Sequence, residues 1–306
     1  MTASAGTTIW RDLIHKPFFW GIVAILALLA LNVIKDPTYL ALSINPNNGN
    51  LVGNLIDILR QAAPIMMIAI GMSLVIATGG IDLSVGSLMA VAGAVSMEFL
   101  SAAGDSFGAA LAAVGLALVI TGILGAVNGL LVAYVGLQPF IATLVLMLAG
   151  RGIAKVITGG QNTTASNDAF RWIANGFVIG IPVVFILAVL IVIAVGWVVR
   201  RSALGLMIEA IGINPRASRM AGIKPKGLLL TAYIMSGILA GIAGIMSVGS
   251  VMTVDISRTG YQLELDAILA VVIGGASLAG GKFSLSGAFV GCLLYTSDAA
   301  DDLLCV

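Results

Sequence analysis

The side chains that could do chemistry here sit mostly where water is scarce. Asp82 follows Gly79-Gly80 inside an apolar run. Glu264 and Asp266 open another, Asn128, Gln138 and Thr143 lie within or beside two more, and Arg151 and Lys155 stand four residues apart. A charge at mid-bilayer costs about 2.5–3.5 kcal/mol on insertion scales, so such groups face each other or a hydrated path. Read together, Asp82, Asn128, Gln138, Thr143, Glu264 and Asp266 would line a translocation pathway for a polar solute, meeting it with hydroxyl, amide and carboxylate groups. Each set also has a plainer use. Asp82 with Ser84 can satisfy N–H groups freed at a helix break. Glu264 and Asp266 suit a helix N-terminus, and Arg151 and Lys155 can snorkel to an interface.

Covalent and metal chemistry are poorly supplied. His15 is the only histidine, and Cys292 and Cys305 give neither a disulfide framework nor metal-ligand spacing. No nucleophile is paired with a base, so the chain is expected to be neither an enzyme nor a cofactor carrier. Gly280-Gly281-Lys282 fails the phosphate-loop pattern, with Ala276 and Phe283 at the positions that need Gly and Ser or Thr.

The elements that must position these groups follow from composition. The chain has 306 residues, 59% hydrophobic and 9% charged, against about 25% charged in soluble domains. It therefore reads as an all-α integral membrane protein, a polytopic helical bundle solvated by the lipid bilayer. Its net charge of +1 gives no reason to expect a nucleic-acid partner. Apolar runs near the roughly 20 residues that a span needs cover 18–34, 55–78, 83–100, 107–134, 139–157, 177–199, 228–248 and 263–279, and a ninth begins at Ser284. Residues 1–17 precede the first run without a cleavage site and read as a cytoplasmic N-terminus. Two stretches echo each other: MSLVIATGGIDLSVGSLMAVAGA from Met72 and LAVVIGGASLAGGKFSLSGAFVG from Leu269. Each is a helix interrupted at paired glycines, and broken helices at corresponding positions of two halves point to a transport path.

One long stretch cannot enter lipid. Residues 200–227 hold six of the fifteen Lys and Arg and one acid, Glu209. A basic loop between spans is retained in the cytoplasm, and six crossings from an inside N-terminus also end there. Its sequence predicts one short helix over 204–210, a turn at Gly212, Asn214 and Pro215, and a second over 216–220, stopped by Gly222 and Pro225. This is either a docking knob or a solvated anchor. At the far end, 292–306 (CLLYTSDAADDLLCV) switches to an acidic run and resembles a translated sequencing adapter, so it reads as a non-native tail after a permease domain of 18–291.

Three of these stretches carry a resemblance. GMSLVIATGGIDLSVGS (71–87), EAIGINPRASRMAGI (209–223) and LELDAILAVVIGGASLAGG (263–281) resemble, in the same order, the motifs of ribose-type sugar ABC importer permeases. The likeness runs from about 51 to 291, and QPFIATLVLMLAGRG (138–152) looks closest to the bacterial galactofuranose type. The resemblance implies about ten transmembrane helices in the complete chain and a second permease subunit, identical or related. It implies cytoplasmic ATPase subunits that bind the ATP, a periplasmic sugar-binding protein, and residence in the bacterial inner membrane. It places Glu209, Gly212, Asn214, Arg216 and Gly222 in the segment that couples to the ATPase. The competing expectation is an ion-coupled secondary transporter, with Asp82 as its ion-binding acid.

Overall fold

The computed structural model describes residues 17–44 and 50–302. The expected N-terminal segment, except Pro17, and Cys305 lie outside those residues. Helix α1 (Pro17–Lys35) leads into a hairpin of β1 (Ser43–Ile44) and β2 (Leu51–Val52). Then come α2 (Asn54–Ala77), α3 (Val85–Ala103), α4 (Phe107–Leu130, prolonged by a π-helical turn to Val135) and α5 (Pro139–Ile157). A polar segment holds β3 (Thr163–Thr164), α6 (Asp168–Asn175) and the β4–β5 hairpin (Phe177–Val178, Ile181–Pro182). After it come α7 (Val183–Arg201), α8 (Leu204–Ile213), α9 (Pro215–Met220), α10 (Pro225–Val251), β6 (Thr253–Val254), α11 (Leu263–Ile273) and α12 (Leu285–Asp302).

Six described helices, α2, α3, α4 with its turn, α5, α7 and α10, are long and apolar enough to cross a membrane. They divide by position. Of the most apolar stretch of α2 and of α3, 78% is buried in the bundle, against 28% for α5 and for α7. Helices α2, α3 and α10 therefore form the centre, while α4, α5 and α7 turn apolar faces outward. Close approach at the centre needs small residues, as is usual for helices in lipid. Gly237 on α10 packs on Gly125 of α4, and a Cβ at Gly125 would come within 2.5 Å of the Tyr233 carbonyl oxygen.

One departure from the sequence expectation, and one segment beside it, shape the site. The run 263–279 is not a full span. Helix α11 stops at Ile273 after 11 residues, about 16 Å at 1.5 Å per residue. The segment 250–262 is tied into the bundle. Its start pairs with β3 (Thr163 opposite Val254), and Ile256 and Gly260 are buried, with Gly260 against Gly86 at the first turn of α3. Arg151 holds it there. Rather than snorkelling, its Nη1 donates to the carbonyls of Ile256 at 3.0 Å and Thr259 at 2.6 Å. Arg151→Ala is expected to free this segment and lower stability by about 1.5–3 kcal/mol, the range for hydrogen bonds to a charged group. Thermal melting in detergent checks this, with faster proteolysis between 255 and 262 as the local sign.

Helix α12 runs without interruption through Gly291, and Cys292, Thr296 and Ser297 are buried.

Candidate coupling joint and transport pathway

The two echoed glycine pairs end their helices in the same way. At the end of α2, Gly79 has φ +83°, its N–H donates to the Ile76 carbonyl, and Gly80 N–H reaches back to Val75. At the end of α11, Gly275 has φ +90°, its N–H donates to Val272, and Ala276 N–H reaches back to Val271. Both are left-handed glycine stops that satisfy the last carbonyls of a helix.

The two breaks touch. Gly281 N–H donates to the Ala77 carbonyl at 2.9 Å, and a Cβ at Gly280 would lie 2.9 Å from Gly79 Cα. That use of the Gly281 N–H takes it away from any phosphate. Gly212, on the last turn of α8, sits against both breaks at once: a Cβ there would overlap the Ala77 carbonyl oxygen and the Gly281 nitrogen. The basic loop is thus seated, backbone to backbone, on the point where two broken helices meet.

The loop itself folds as its punctuation predicts. Asn214 closes α8 and caps α9, its Oδ1 accepting from the N–H groups of Arg216 and Ala217 at 3.1 Å each. Gly222 (φ +85°) stops α9, with Ile223 N–H donating to the Ser218 carbonyl. Glu209 is half-buried, and among the described residues the one ion pair is Arg258–Asp255, so neither Glu209 nor Arg216 is paired. All six cations of the loop are exposed, and so are three apolar side chains: Leu206 at 75%, Ile213 at 75% and Met220 at 91%.

The expected pathway residues separate into three places. Asp82, Asn128 and Thr143 come together around the first break. Asp82 Oδ1 accepts from Ser84 N–H (3.0 Å) and Ser84 Oγ (2.6 Å), and its Oδ2 accepts from Ser236 Oγ on α10 (2.7 Å). Asn128 Nδ2 donates to Ser84 Oγ at 2.9 Å, and Thr143 Oγ1 donates to the carbonyls of Pro139 (2.9 Å) and Ile81 (3.2 Å). All are buried, as is Tyr233, whose hydroxyl would lie 2.8 Å from a Cβ on Gly80. This network ties the break to α4, α5 and α10. Gln138 stands apart, exposed at the start of α5. Glu264 and Asp266 occupy the first turn of α11, with Glu264 Oε2 buried against Gly86 and without a hydrogen-bond partner.

Sequence reasoning overlooked Asp57, Arg60 and Gln61 on the first turns of α2. They line a cavity of about 440 Å³ with Asn175, Ser247, Ser250 and an apolar floor that includes Ile65 and Leu263. A charged pair and an amide at i, i+3 and i+4, within a run otherwise free of charge until Asp82, was the signal available.

A model of the family described as branched-chain amino acid transport system / permease component matches residues 54–297. The chain belongs to that permease family. The fructose import permease protein FruF of Bifidobacterium longum (strain NCC 2705) is 53% identical over 94% of this chain and 81% of its own length. The galactofuranose transporter permease protein YtfT of Escherichia coli (strain K12) is 46% identical over 89% and 78%. The ribose import permease protein RbsC of the same strain is 38% identical over 90% and 82%. No solved structure matches the chain. As a member of this permease family the chain is a multi-pass membrane transport subunit. Among its described residues no three His, Cys, Asp or Glu side chains gather to hold a metal ion.

Proposed function

We propose that this permease is the membrane subunit of an ATP-driven importer that carries a monosaccharide across the bacterial cytoplasmic membrane. The observation that carries the reading is the seat of α8 on both helix breaks through Gly212, in a basic segment that also exposes Leu206, Ile213 and Met220. A solvated anchor needs charge only. Exposed apolar residues on a folded polar knob mark a protein-docking surface, and the partner that fits is a cytoplasmic ATPase subunit. The sugar follows from the relatives named for fructose, galactofuranose and ribose. A second permease subunit completes the channel, and a periplasmic binding protein delivers the sugar. The basic segment 200–227 and the N-terminus face the cytoplasm.

ATP binding closes the ATPase pair and displaces α8 and α9. Gly212 passes that displacement to Ala77 and Gly281, so both broken helices move together. The cleft changes its population of outward-open and inward-open states, to the extent that the ATPase binds one of them better. An ion-coupled carrier has less support, because both Asp82 oxygens already accept hydrogen bonds in a buried network. Glu209→Arg is the test. Uptake of labelled sugar is expected to fall by about 5- to 150-fold, the span of ordinary coupling free energies, with the variant still inserted and folded. Undiminished ATP-driven uptake would refute the coupling role.

A further inference from the structure

From the cavity at the N-terminal turns of α2, we propose that the chain holds its own binding site for an uncharged polyhydroxy solute, with Arg60 as its central donor. The proposal rests on the transport reading above and names where the solute first meets this chain. Ala77, at the other end of α2, touches the coupling joint. Asp57 is 20 residues away along the helix, about 30 Å at 1.5 Å per residue. The cavity therefore lies at the opposite end of the bundle from α8 and α9. Leu263, the first residue of the half-length helix α11, forms part of its floor. Its volume of about 440 Å³ falls in the roughly 300–1,000 Å³ range of small-molecule sites.

Its chemistry selects against ions. Asp57 and Arg60 offset each other, one turn apart. The remaining polar groups, Gln61, Asn175, Ser247 and Ser250, are neutral amides and hydroxyls suited to sugar hydroxyls. Asn175 is fixed in the wall, its Nδ2 donating to the Ser250 carbonyl at 2.9 Å. Arg60 is fixed by the Phe177 ring, 4.9 Å from its guanidinium carbon. So held, its Nε is buried and has no hydrogen-bond partner. An unsatisfied buried donor costs about 1–3 kcal/mol, which an acceptor entering the cavity would relieve. Pro64, also in the wall, has no N–H to give the Arg60 carbonyl one turn earlier, which leaves that carbonyl without its helical donor. Pro64, Ile65, Val184, Met246 and Leu263 supply apolar surface for the C–H face of a ring.

The test is sugar protection of a cysteine at Gln61 in the assembled transporter, in right-side-out membrane vesicles. Gln61→Cys is made with Cys305→Ser; Cys292 is buried. The probe is a membrane-impermeant thiosulfonate, applied with D-fructose, D-galactose, D-ribose or sodium glucuronate at equal concentration. The expected result is labelling slowed several-fold by at least one neutral sugar, unaffected by glucuronate, and no longer slowed when Arg60→Ala is added. Ser250→Cys serves if Gln61→Cys fails to insert. Three results would overturn the site: the same labelling rate with and without sugars, equal protection by glucuronate, or a cysteine blocked in every condition, which would make the cavity a subunit interface. Protection needs no ATP, whereas coupling does. Loss of protection with ATP-dependent uptake intact would thus count against this site alone, and protection without ATP dependence against the coupling reading alone.

Discussion

Replacing Gly212 with valine will stop ATP-driven uptake while leaving the spans in the membrane. Any Cβ at this position overlaps backbone atoms on both sides, the Ala77 carbonyl oxygen and the Gly281 nitrogen. Neither is the flexible end of a side chain, so α8 must lift or the two breaks must part. Overpacking a close-packed site costs about 1–3 kcal/mol, and contact with backbone from two helices puts this one near the top of that range. The helices themselves are untouched, because their stability comes from the α2, α3 and α10 centre. The measurement is uptake of labelled sugar beside membrane insertion and ATPase co-purification. Gly227→Ala is the control: it is also a helical glycine near the loop, with nothing within 4 Å of its added Cβ. If Gly212→Val transports normally, the joint carries no motion.

Asp82→Ala is expected to lower folded stability by more than either Gly212→Val or Arg151→Ala. Removing the carboxylate strands Ser84 N–H, Ser84 Oγ and Ser236 Oγ in a buried site. Each donor left without a partner costs about 1–3 kcal/mol, and the tie between the first break and α10 goes with them. Asp82→Asn should be much milder. Its amide oxygen can keep the Ser84 bonds, and the Ser236 hydroxyl can turn to accept from the new NH₂. Thermal melting of purified permease separates the two variants. An Asp82→Ala protein that melts like the parent but no longer transports would mean that Asp82 meets the solute, and that its network is incidental.

How far the sequence carries depends on which signal each element uses. Helices α2 to α5, α7 and α10 are legible because their long apolar runs carry few charges and match the length of a span. Pro139 and Pro225, at the first helical positions, even mark where α5 and α10 begin. The α8–α9 knob is legible because Asn214, Gly222 and Pro225 act through local chemistry. Helix α11 is not, since hydropathy registers only that 263–279 is apolar and is blind to the left-handed stop at Gly275. Helix α6 hides in a polar segment, where its sole start signal is Asn167, whose Oδ1 accepts from Phe170 N–H at 2.9 Å. The echo from Met72 and Leu269 suggests that two breaks exist. That they meet each other, with Gly212 between them, is a tertiary fact with no sequence period to announce it. For the site residues, type and spacing single out Asp82, Asn128 and Thr143 but not their mutual hydrogen bonds. Arg60 passes unnoticed because its meaning depends on a cavity that residues distant in sequence enclose together.

We infer that an ATP-hydrolysing subunit docks on the α8–α9 knob. The most direct measurement is photocrosslinking from a benzophenone side chain placed at Met220, which is 91% exposed, in membranes that import the sugar. One dominant product is expected, an ATPase subunit, and it weakens in Glu209→Arg. A transporter that yields no ATPase product yet still takes up sugar, and stops when a protonophore is added with ATP maintained, would contradict it.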